Sequence, residues 1–273
     1  ARRLLEEFGV EVGSHVVSLG GIVAWPRGGP RETELPRPLN PAADRSEVRV
    51  LDPAFEAEII QRIDQAKKDG DTLGGEVEVV VHGLPTGLGS HTQWDRKLDA
   101  RLAGALMSIP AVKAVEIGLG FEASHRPGSA VHDPIDPDAV PGTPAPSPAL
   151  RGGYSRRSNN AGGLEGGMTT GEPLVIRVGM KPISTLMSPL PTVDLTTGLP
   201  ARAQSERSDV TAVPAMGVIA EALTALVLAE AWLEKFGGDS LREIRDNVDA
   251  YLTRLADRWK TLADGVRAGT EDS

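Results

Sequence analysis

The stretch "MKPISTLMSP" (residues 180–189) combines groups that can hold an anion. A strand-like segment ends at Lys181, and Pro182 fixes the direction of the turn that follows. Ile183 separates this turn from two hydroxyl side chains, Ser184 and Thr185. A lysine, hydroxyls and the free amides of a turn together can bind phosphate. An ordinary turn at the end of a strand is the competing interpretation.

A second candidate lies just before the longest apolar segment, in "ERSDVTAVPAMG" from Glu206. In one interpretation Asp209 or Thr211 caps the following helix, and Arg207 pairs with an acid. In the other, Arg207 binds an anion at the helix N-terminus. Asp209 then acts as a base in a partly buried setting, where its pKa can be tuned. Residue types alone leave both interpretations open.

Glycines crowd the stretch "RSNNAGGLEGGMTTGEP" (residues 157–173). They occupy five of the ten positions from Gly162 to Gly171, after Asn159 and Asn160. Glycine is costly to order, so this density indicates sharp turns or a backbone pressed against something. A flexible surface loop is the simpler alternative.

The remaining motifs argue against other chemistries. "GLPTGLG" (residues 83–89) follows a strand but lacks the spacing of a dinucleotide loop. The five histidines show no spacing typical of a metal site, so no metal is predicted. Ser90 and His91 have no third partner in sequence for a hydrolytic triad.

The elements that must position these residues follow from hydrophobic periodicity. Asp52 and Pro53 predict the start of a helix that ends at Gly70, and Trp94 begins the apolar stripe of another. Helices are predicted over residues 1–8, 52–68, 93–107, 214–236 and 240–262, and strands over 10–25, 76–85, 111–121 and 173–182. Their order does not alternate strictly, which favours an α+β fold. Residues 26–50 and 122–158 are predicted to be loop-rich excursions of a single domain, residues 1–273.

Composition limits the class of protein. The 273 residues carry a net charge of -9, which argues against a nucleic-acid partner. There is no cysteine, so disulfides and a cysteine nucleophile are excluded. No transmembrane segment and no signal peptide are predicted. The chain opens abruptly in a helical pattern without Met, as if partway through something larger.

Six stretches in order resemble the chorismate synthase family. They cover most of the chain from Glu11 to Ser240: "EVGSHV", "KKDGDTLGGEVEVVVHGLPTGLGS", "LDARLAGALMSIPAVKAVEIGLGF", "RPGSAVHD", "RSNNAGGLEGGMTTGEPLVIRVGMKPIST" and "RSDVTAVPAMGVIAEALTALVLAEAWLEKFGGDS". The resemblance implies helices sandwiched between antiparallel sheets. It also implies the reaction, a 1,4-anti elimination of phosphate from 5-enolpyruvylshikimate-3-phosphate that gives chorismate and requires reduced FMN.

The resemblance also implies roles for individual residues. Asp209 matches the carboxylate that acts through the flavin in deprotonation. The residues that match flavin contacts are Pro110, Ala111, Gly166, Lys181, Pro182, Ile183, Ser184, Thr185 and Arg207. Gly166 lies among the crowded glycines, which would let backbone approach the flavin. Asn159 and Asn160 are expected to shape the same wall.

The resemblance implies further properties of the whole protein. These are a homotetramer, a cytoplasmic location, no membrane partner, and NADPH or a flavin reductase as electron source. The family's N-terminal section, which carries two functional histidines, has no counterpart in these residues. We therefore expect little turnover from the 273 residues alone. The alternative is a non-catalytic truncated form that keeps the fold, the assembly surface and weak flavin binding.

Overall fold

The structure, a computed structural model, describes residues 1–25, 35–137, 154–206 and 208–271. The helices are Arg2–Glu6 (α1), Leu39–Ala43 (α2), Pro53–Asp69 (α3), Leu98–Met107 (α4), Val213–Phe236 (α5) and Leu241–Glu271 (α6). The strands are Glu11–Leu19 (β1), Ile22–Val23 (β2), Gly75–His82 (β3), Val112–Ile117 (β4), Ile135–Pro137 (β5), Tyr154–Arg156 (β6), Leu164–Glu165 (β7), Met168–Thr169 (β8), Leu174–Met180 (β9), Pro191–Val193 (β10) and Pro200–Arg202 (β11).

Five strands form one antiparallel sheet in the order β2-β1-β3-β9-β4. Their core-facing residues alternate with polar ones, and β3 buries Val77, Val79 and Val81 completely. The other described strands pair as two-stranded antiparallel sheets: β5 with β6, β7 with β8, and β10 with β11. Helices beside an antiparallel sheet confirm the predicted α+β class.

Helix α5 packs along the valine face of this sheet, against β1, β3 and β9. Met216, Ala220 and Leu228 are almost completely buried there. The helix is long and apolar enough to span a membrane by length and composition, with a mean hydropathy of 1.7 over its best window. However, 61% of that window is buried inside the protein, which is typical of a core helix.

The opposite face of the sheet carries a buried polar row, which we call the cross-strand row: His15, Glu78, Arg177 and Glu116. The strand register places these four residues side by side on β1, β3, β9 and β4. His15 Nε2 lies 3.4 Å from Glu78 Oε1, and Arg177 Nε donates to Glu78 Oε2 at 2.7 Å. Burial alone would raise the pKa of Glu78, but the hydrogen bond from His15 and the charge of Arg177 outweigh it and lower that pKa.

Several sequence predictions hold within a few residues. Asp52 caps α3, since its Oδ1 accepts from Ala54 N at 2.9 Å, and Gly70 ends the helix in the left-handed region. The helix predicted over residues 93–107 begins only at Leu98, and Trp94 is 80% exposed instead of lying on the buried stripe. The excursion 26–50 contains the short helix α2, and 122–158 contains β5 and β6. Residues 26–34 and 138–153 of these excursions lie outside the described residues.

Candidate functional site

The turn after β9 is fastened to the loop before β3. Thr72 Oγ1 donates to the carbonyl oxygen of Ile183 at 2.6 Å. A Cβ on Gly74 would lie 2.4 Å from the carbonyl oxygen of Met180 and 2.9 Å from Pro182 N. Only glycine therefore lets this loop lie against the turn. Sequence reasoning assigned no role to either residue, although both stand in the glycine-rich segment "DGDTLGG".

Ala111 holds the other side of the same turn. Its carbonyl oxygen accepts a hydrogen bond from Lys181 N at 2.9 Å. Its φ is 67°, in the left-handed region that residues other than glycine rarely adopt. Such strain costs on the order of 1–3 kcal/mol and clusters at active sites and ligand clamps. Pro110, Ala111 and Lys181, all predicted flavin contacts, are thus neighbours in space.

The segment before α5 is hydrogen-bonded to the Thr185 end of the same turn. Ser208 Oγ donates to the carbonyl oxygen of Thr185 at 2.8 Å, and Leu73 N donates to Val210 O at 2.7 Å. Asp209 stands between these two anchors. It lines a hollow of about 340 Å³ together with Thr72 and Thr185. Arg207 lies outside the described residues.

The capping interpretation of Asp209 is wrong. Helix α5 begins at Val213 with Ala212 at the N-cap position and no side-chain cap. Thr211 is closer to the helix, and its hydroxyl accepts from Val213 N at 3.3 Å. The side chain of Asp209 is exposed, so the expected partly buried setting is also wrong for this structure. Its neighbours are tied to the Thr185 turn and the loop before β3, which keeps it away from the helix end.

A larger hollow of about 560 Å³ is lined by the Lys181 end of the turn and by the loop before β3. Its lining includes three cationic side chains and two carboxylates: Arg62, Lys113, Lys181, Asp71 and Glu76. Small-molecule sites commonly have volumes of roughly 300–1,000 Å³. The ammonium of Lys181 is exposed and donates at 3.3 Å to a neutral acceptor, the carbonyl oxygen of Pro182. The arrangement is suited to an anionic group of a small molecule.

Gly166, another predicted flavin contact, lies away from the Lys181–Thr185 turn in this structure. It forms the turn of the β7–β8 hairpin with Gly167. The backbone of Gly163, just before β7, packs against Leu174, and Thr170 N, just after β8, donates to the carbonyl oxygen of Gly163. The β7–β8 hairpin therefore lies beside the Leu174 end of β9. Lys181 follows the opposite end of that seven-residue strand, about 20 Å away at the usual rise.

The glycine density has an explanation within the chain. A Cβ on Gly163 would lie 2.5 Å from the carbonyl oxygen of Pro173, so the run is crowded by other backbone. Asn159 braces it, donating to Pro173 O at 2.8 Å and accepting from Gly163 N at 2.8 Å. Asn160 donates to Val131 O at 2.9 Å. The flexible-loop alternative does not describe this segment.

A buried carboxylate, Glu221, lies elsewhere in the fold. Glu221 on α5 accepts from Ser14 Oγ at 2.6 Å, Asn40 Nδ2 at 2.7 Å, Arg2 Nη2 at 2.8 Å and Arg49 Nη2 at 3.2 Å. This network fastens α1 and α2 to the core helix.

His82, at the end of β3, is 9% exposed. Burial, with a contribution from the charge of Arg37, lowers the pKa of His82 to about 4, while Glu11 opposes the shift. Its imidazole is therefore neutral at pH 7.

Comparisons with known proteins show which family the sequence resembles. Residues 1–233 match the family model described as chorismate synthase. The chorismate synthases of Saccharopolyspora erythraea and Trichlorobacter lovleyi are 55% and 56% identical over 261 and 260 residues. Each alignment covers 94% of this chain but only 61% and 63% of the relative. The chain therefore spans about three-fifths of the length of these relatives.

A crystal structure of a chorismate synthase superposes with a TM-score of 0.76 at 40% identity. That alignment covers 94% of this chain and 67% of the other. The superposition extends the similarity from sequence to three-dimensional structure.

Proposed function

Because this chain belongs to the chorismate synthase family, we propose that it forms part of a chorismate synthase active site. The reaction is the 1,4-anti elimination of phosphate from 5-enolpyruvylshikimate-3-phosphate to give chorismate, with reduced FMN as cofactor. The proposal concerns the part of that site which these 273 residues form.

One observation carries the proposal. Residues from three separate segments converge on the turn after β9, Lys181–Thr185: Thr72, Ala111 and Ser208. One of them, Ala111, holds a strained backbone conformation at this point. Strain and long-range hydrogen bonds at a cationic hollow are what a preorganised ligand site requires.

These residues fit a phosphate-bearing flavin. Lys181 and Lys113 supply positive charge to the hollow of about 560 Å³. Further along the same turn, Thr185 lines the neighbouring hollow of about 340 Å³, and Ser184 and Thr185 carry hydroxyls that can donate to phosphate. Lys181 and the turn that follows it would hold reduced FMN, which would supply transient electron density for the loss of phosphate.

The residues of the chain have separate tasks in this proposal. Lys181 and the hydroxyls of the turn bind and orient phosphate groups. The backbone of Pro110 and Ala111 would lie beside the cofactor and would exclude water from that side. A carboxylate oxygen of Asp209 accepts the ring proton, and its position beside Thr185 keeps it near the phosphate-binding turn.

The proposal extends to the whole protein. In this proposal the whole protein is a lyase of aromatic amino acid biosynthesis. It works as a cytoplasmic homotetramer, with NADPH or a flavin reductase as electron source. Family membership supports these properties. The net charge of -9 supports the absence of a nucleic-acid partner.

The test is a flavin titration of this chain and its Lys181→Ala variant. We expect the variant to bind FMN more weakly by roughly 1.5–3 kcal/mol, the usual contribution of a hydrogen bond to a charged group. Arg3→Ala is the charge-matched control, because Arg3 is 96% exposed on α1. An unchanged titration for Lys181→Ala would remove Lys181 from the site.

A further inference from the structure

Asp71 stands where the two hollows beside the Lys181–Thr185 turn meet. Asp71 and Thr72 line both the larger hollow, of about 560 Å³, and the smaller one, of about 340 Å³. The larger hollow also contains Lys181, and the smaller one contains Asp209. The two hollows therefore share a wall, and Asp71 puts a carboxylate on that wall.

The loop that carries Asp71 is tied to the fold on two sides. Asp71 N donates to the carbonyl oxygen of Ala66 on α3 at 2.9 Å. The hydroxyl of Thr72 donates to the carbonyl oxygen of Ile183 in the turn after β9 at 2.6 Å. These bonds hold the backbone around Asp71, so its position between the two hollows is set by the fold.

The carboxylate of Asp71 keeps acceptor positions for a ligand. One oxygen, Oδ1, accepts from Thr72 N at 2.8 Å, and the side chain is exposed. Among the described residues no cation pairs with it, although Lys67 lines the smaller hollow and Lys181 the larger one. An ionised carboxylate accepts hydrogen bonds at both oxygens and donates none. Asp71 therefore suits a ligand group that bears hydroxyls and repels one that bears phosphate.

The two hollows suit different parts of one cofactor. In the proposed function Lys181 binds the phosphate of FMN, and Asp209 acts through the flavin ring. These two parts of FMN are joined by a chain of carbon atoms that carry hydroxyl groups. A molecule with its phosphate in the larger hollow and its ring beside the smaller one must cross the shared wall with this chain.

We propose that Asp71 binds the hydroxylated chain of the flavin, with its carboxylate oxygens accepting hydrogen bonds from the hydroxyls. This role rests on the proposed function, because it takes Lys181 as the phosphate anchor. It adds a specificity determinant to that site. Asp71 contacts neither the phosphate nor the ring, so it favours a flavin that carries the chain over one that lacks it.

Substitution of Asp71 by asparagine separates this role from simple charge repulsion. A carboxylate that only stands near bound phosphate weakens its binding, so removal of the charge should leave flavin affinity unchanged or raise it. A carboxylate that accepts from flavin hydroxyls strengthens binding, so the same change should lower the affinity. The two cases predict effects of opposite sign.

The experiment is a set of flavin titrations of this chain and of its variants Asp71→Asn and Asp69→Asn. The ligands are FMN, riboflavin, which lacks the phosphate, and lumiflavin, which also lacks the hydroxylated chain. Asparagine keeps an oxygen that can accept from Thr72 N, and thermal unfolding checks that the fold is retained. Asp69→Asn is the charge-matched control, because Asp69 is exposed and is not among the described residues that line either hollow.

We expect Asp71→Asn to weaken riboflavin binding by about tenfold, near the lower end of what a hydrogen bond to a charged group contributes. FMN affinity should fall by a smaller factor, because the repulsion between Asp71 and the phosphate is lost at the same time. Lumiflavin affinity should not change, because lumiflavin carries no hydroxyl. Asp69→Asn should bind all three flavins as the parent does.

Two results would overturn the assignment of Asp71. Riboflavin binding as tight in Asp71→Asn as in the parent would mean that Asp71 contacts no hydroxyl of the chain. An equal loss for lumiflavin would place the ring, and not the chain, at Asp71.

Lys181→Ala tests the proposed function separately, because it should weaken FMN binding and leave riboflavin binding unchanged. If that result holds while Asp71→Asn binds riboflavin as the parent does, the role of Asp71 fails and the proposed function stands. If the parent binds none of the three flavins, both fail.

Discussion

Gly74→Ala tests whether the loop before β3 sets the position of the Lys181 turn. The added Cβ would meet three backbone atoms: Met180 O at 2.4 Å, Pro182 N at 2.9 Å and the carbonyl carbon of Lys181 at 3.0 Å. Backbone atoms cannot rotate away as a side chain can. The φ of Gly74 is not positive, so the effect of the substitution is steric.

The size of the effect follows from the contact. Ordinary van der Waals contact begins near 3.4 Å, so the loop and the turn must separate by close to 1 Å. Overpacking of this kind costs about 1–3 kcal/mol. For a protein of this size each kcal/mol lowers the melting temperature by roughly 2–4 °C. We therefore expect a fall of about 2–12 °C.

The same displacement should weaken FMN binding, because the turn carries the proposed phosphate contacts. Thermal unfolding and flavin titration measure the two effects. Gly104→Ala is the control: it has open space around it in α4 and should gain roughly 0.5–1 kcal/mol of stability.

Two results would refute this reasoning. An unchanged melting temperature for Gly74→Ala would mean that the loop does not press on the turn. A lowered melting temperature with unchanged FMN affinity would mean that the turn is not the phosphate site.

Three further predictions concern buried or site carboxylates and a histidine. In a full-length family member, Asn at the position aligned with Asp209 should lower turnover at least about 10²-fold in single-turnover assays. The melting temperature should not change, because Asp209 caps no helix. Turnover near that of the parent would show that Asp209 is not the base. The stability contributed by neutral His82 is fully present above about pH 6.5 and is lost as the pH falls to about 4, by up to roughly 3 kcal/mol. Urea unfolding across this range should show the loss. The variant His82→Gln should reduce this pH dependence, and His91→Gln should leave it unchanged. Glu221→Gln removes the buried carboxylate that pairs with Arg49 and Arg2, although Arg49 keeps its ion pair with Asp44 at 3.2 Å. It should cost about 1–3 kcal/mol in urea unfolding, whereas a change well below about 1 kcal/mol would show that the network is dispensable.

Local signals were enough to predict most elements. Asp52 and Gly70 mark the two ends of α3 because capping and the left-handed region depend on neighbouring residues only. The start of α4 was misplaced for the opposite reason. Leu98 N donates to Gly167 O at 2.9 Å, a contact with a residue far along the chain. No periodicity around Trp94 encodes that contact.

The candidate site divides in the same way. The Lys181–Thr185 turn was predictable because the lysine, the proline and the hydroxyls are contiguous. Thr72 and Gly74 were missed because their partners lie more than a hundred positions away, across the sheet. The strained φ of Ala111 was also invisible, since alanine gives no local sign of a left-handed conformation.

The cross-strand row has a consequence for how the sheet assembles. Its four strands come from distant parts of the chain, and side chains alternate between the two faces. Sliding β3 by one residue would turn Glu78 into the valine layer and bring Val77 or Val79 opposite His15 and Arg177. A misaligned pairing would therefore leave three buried ionisable groups without partners at once, whereas the correct pairing gives all of them their hydrogen bonds and ion pairs. The cross-strand row therefore selects one strand register, and it contributes to the specificity of strand pairing more than to its stability.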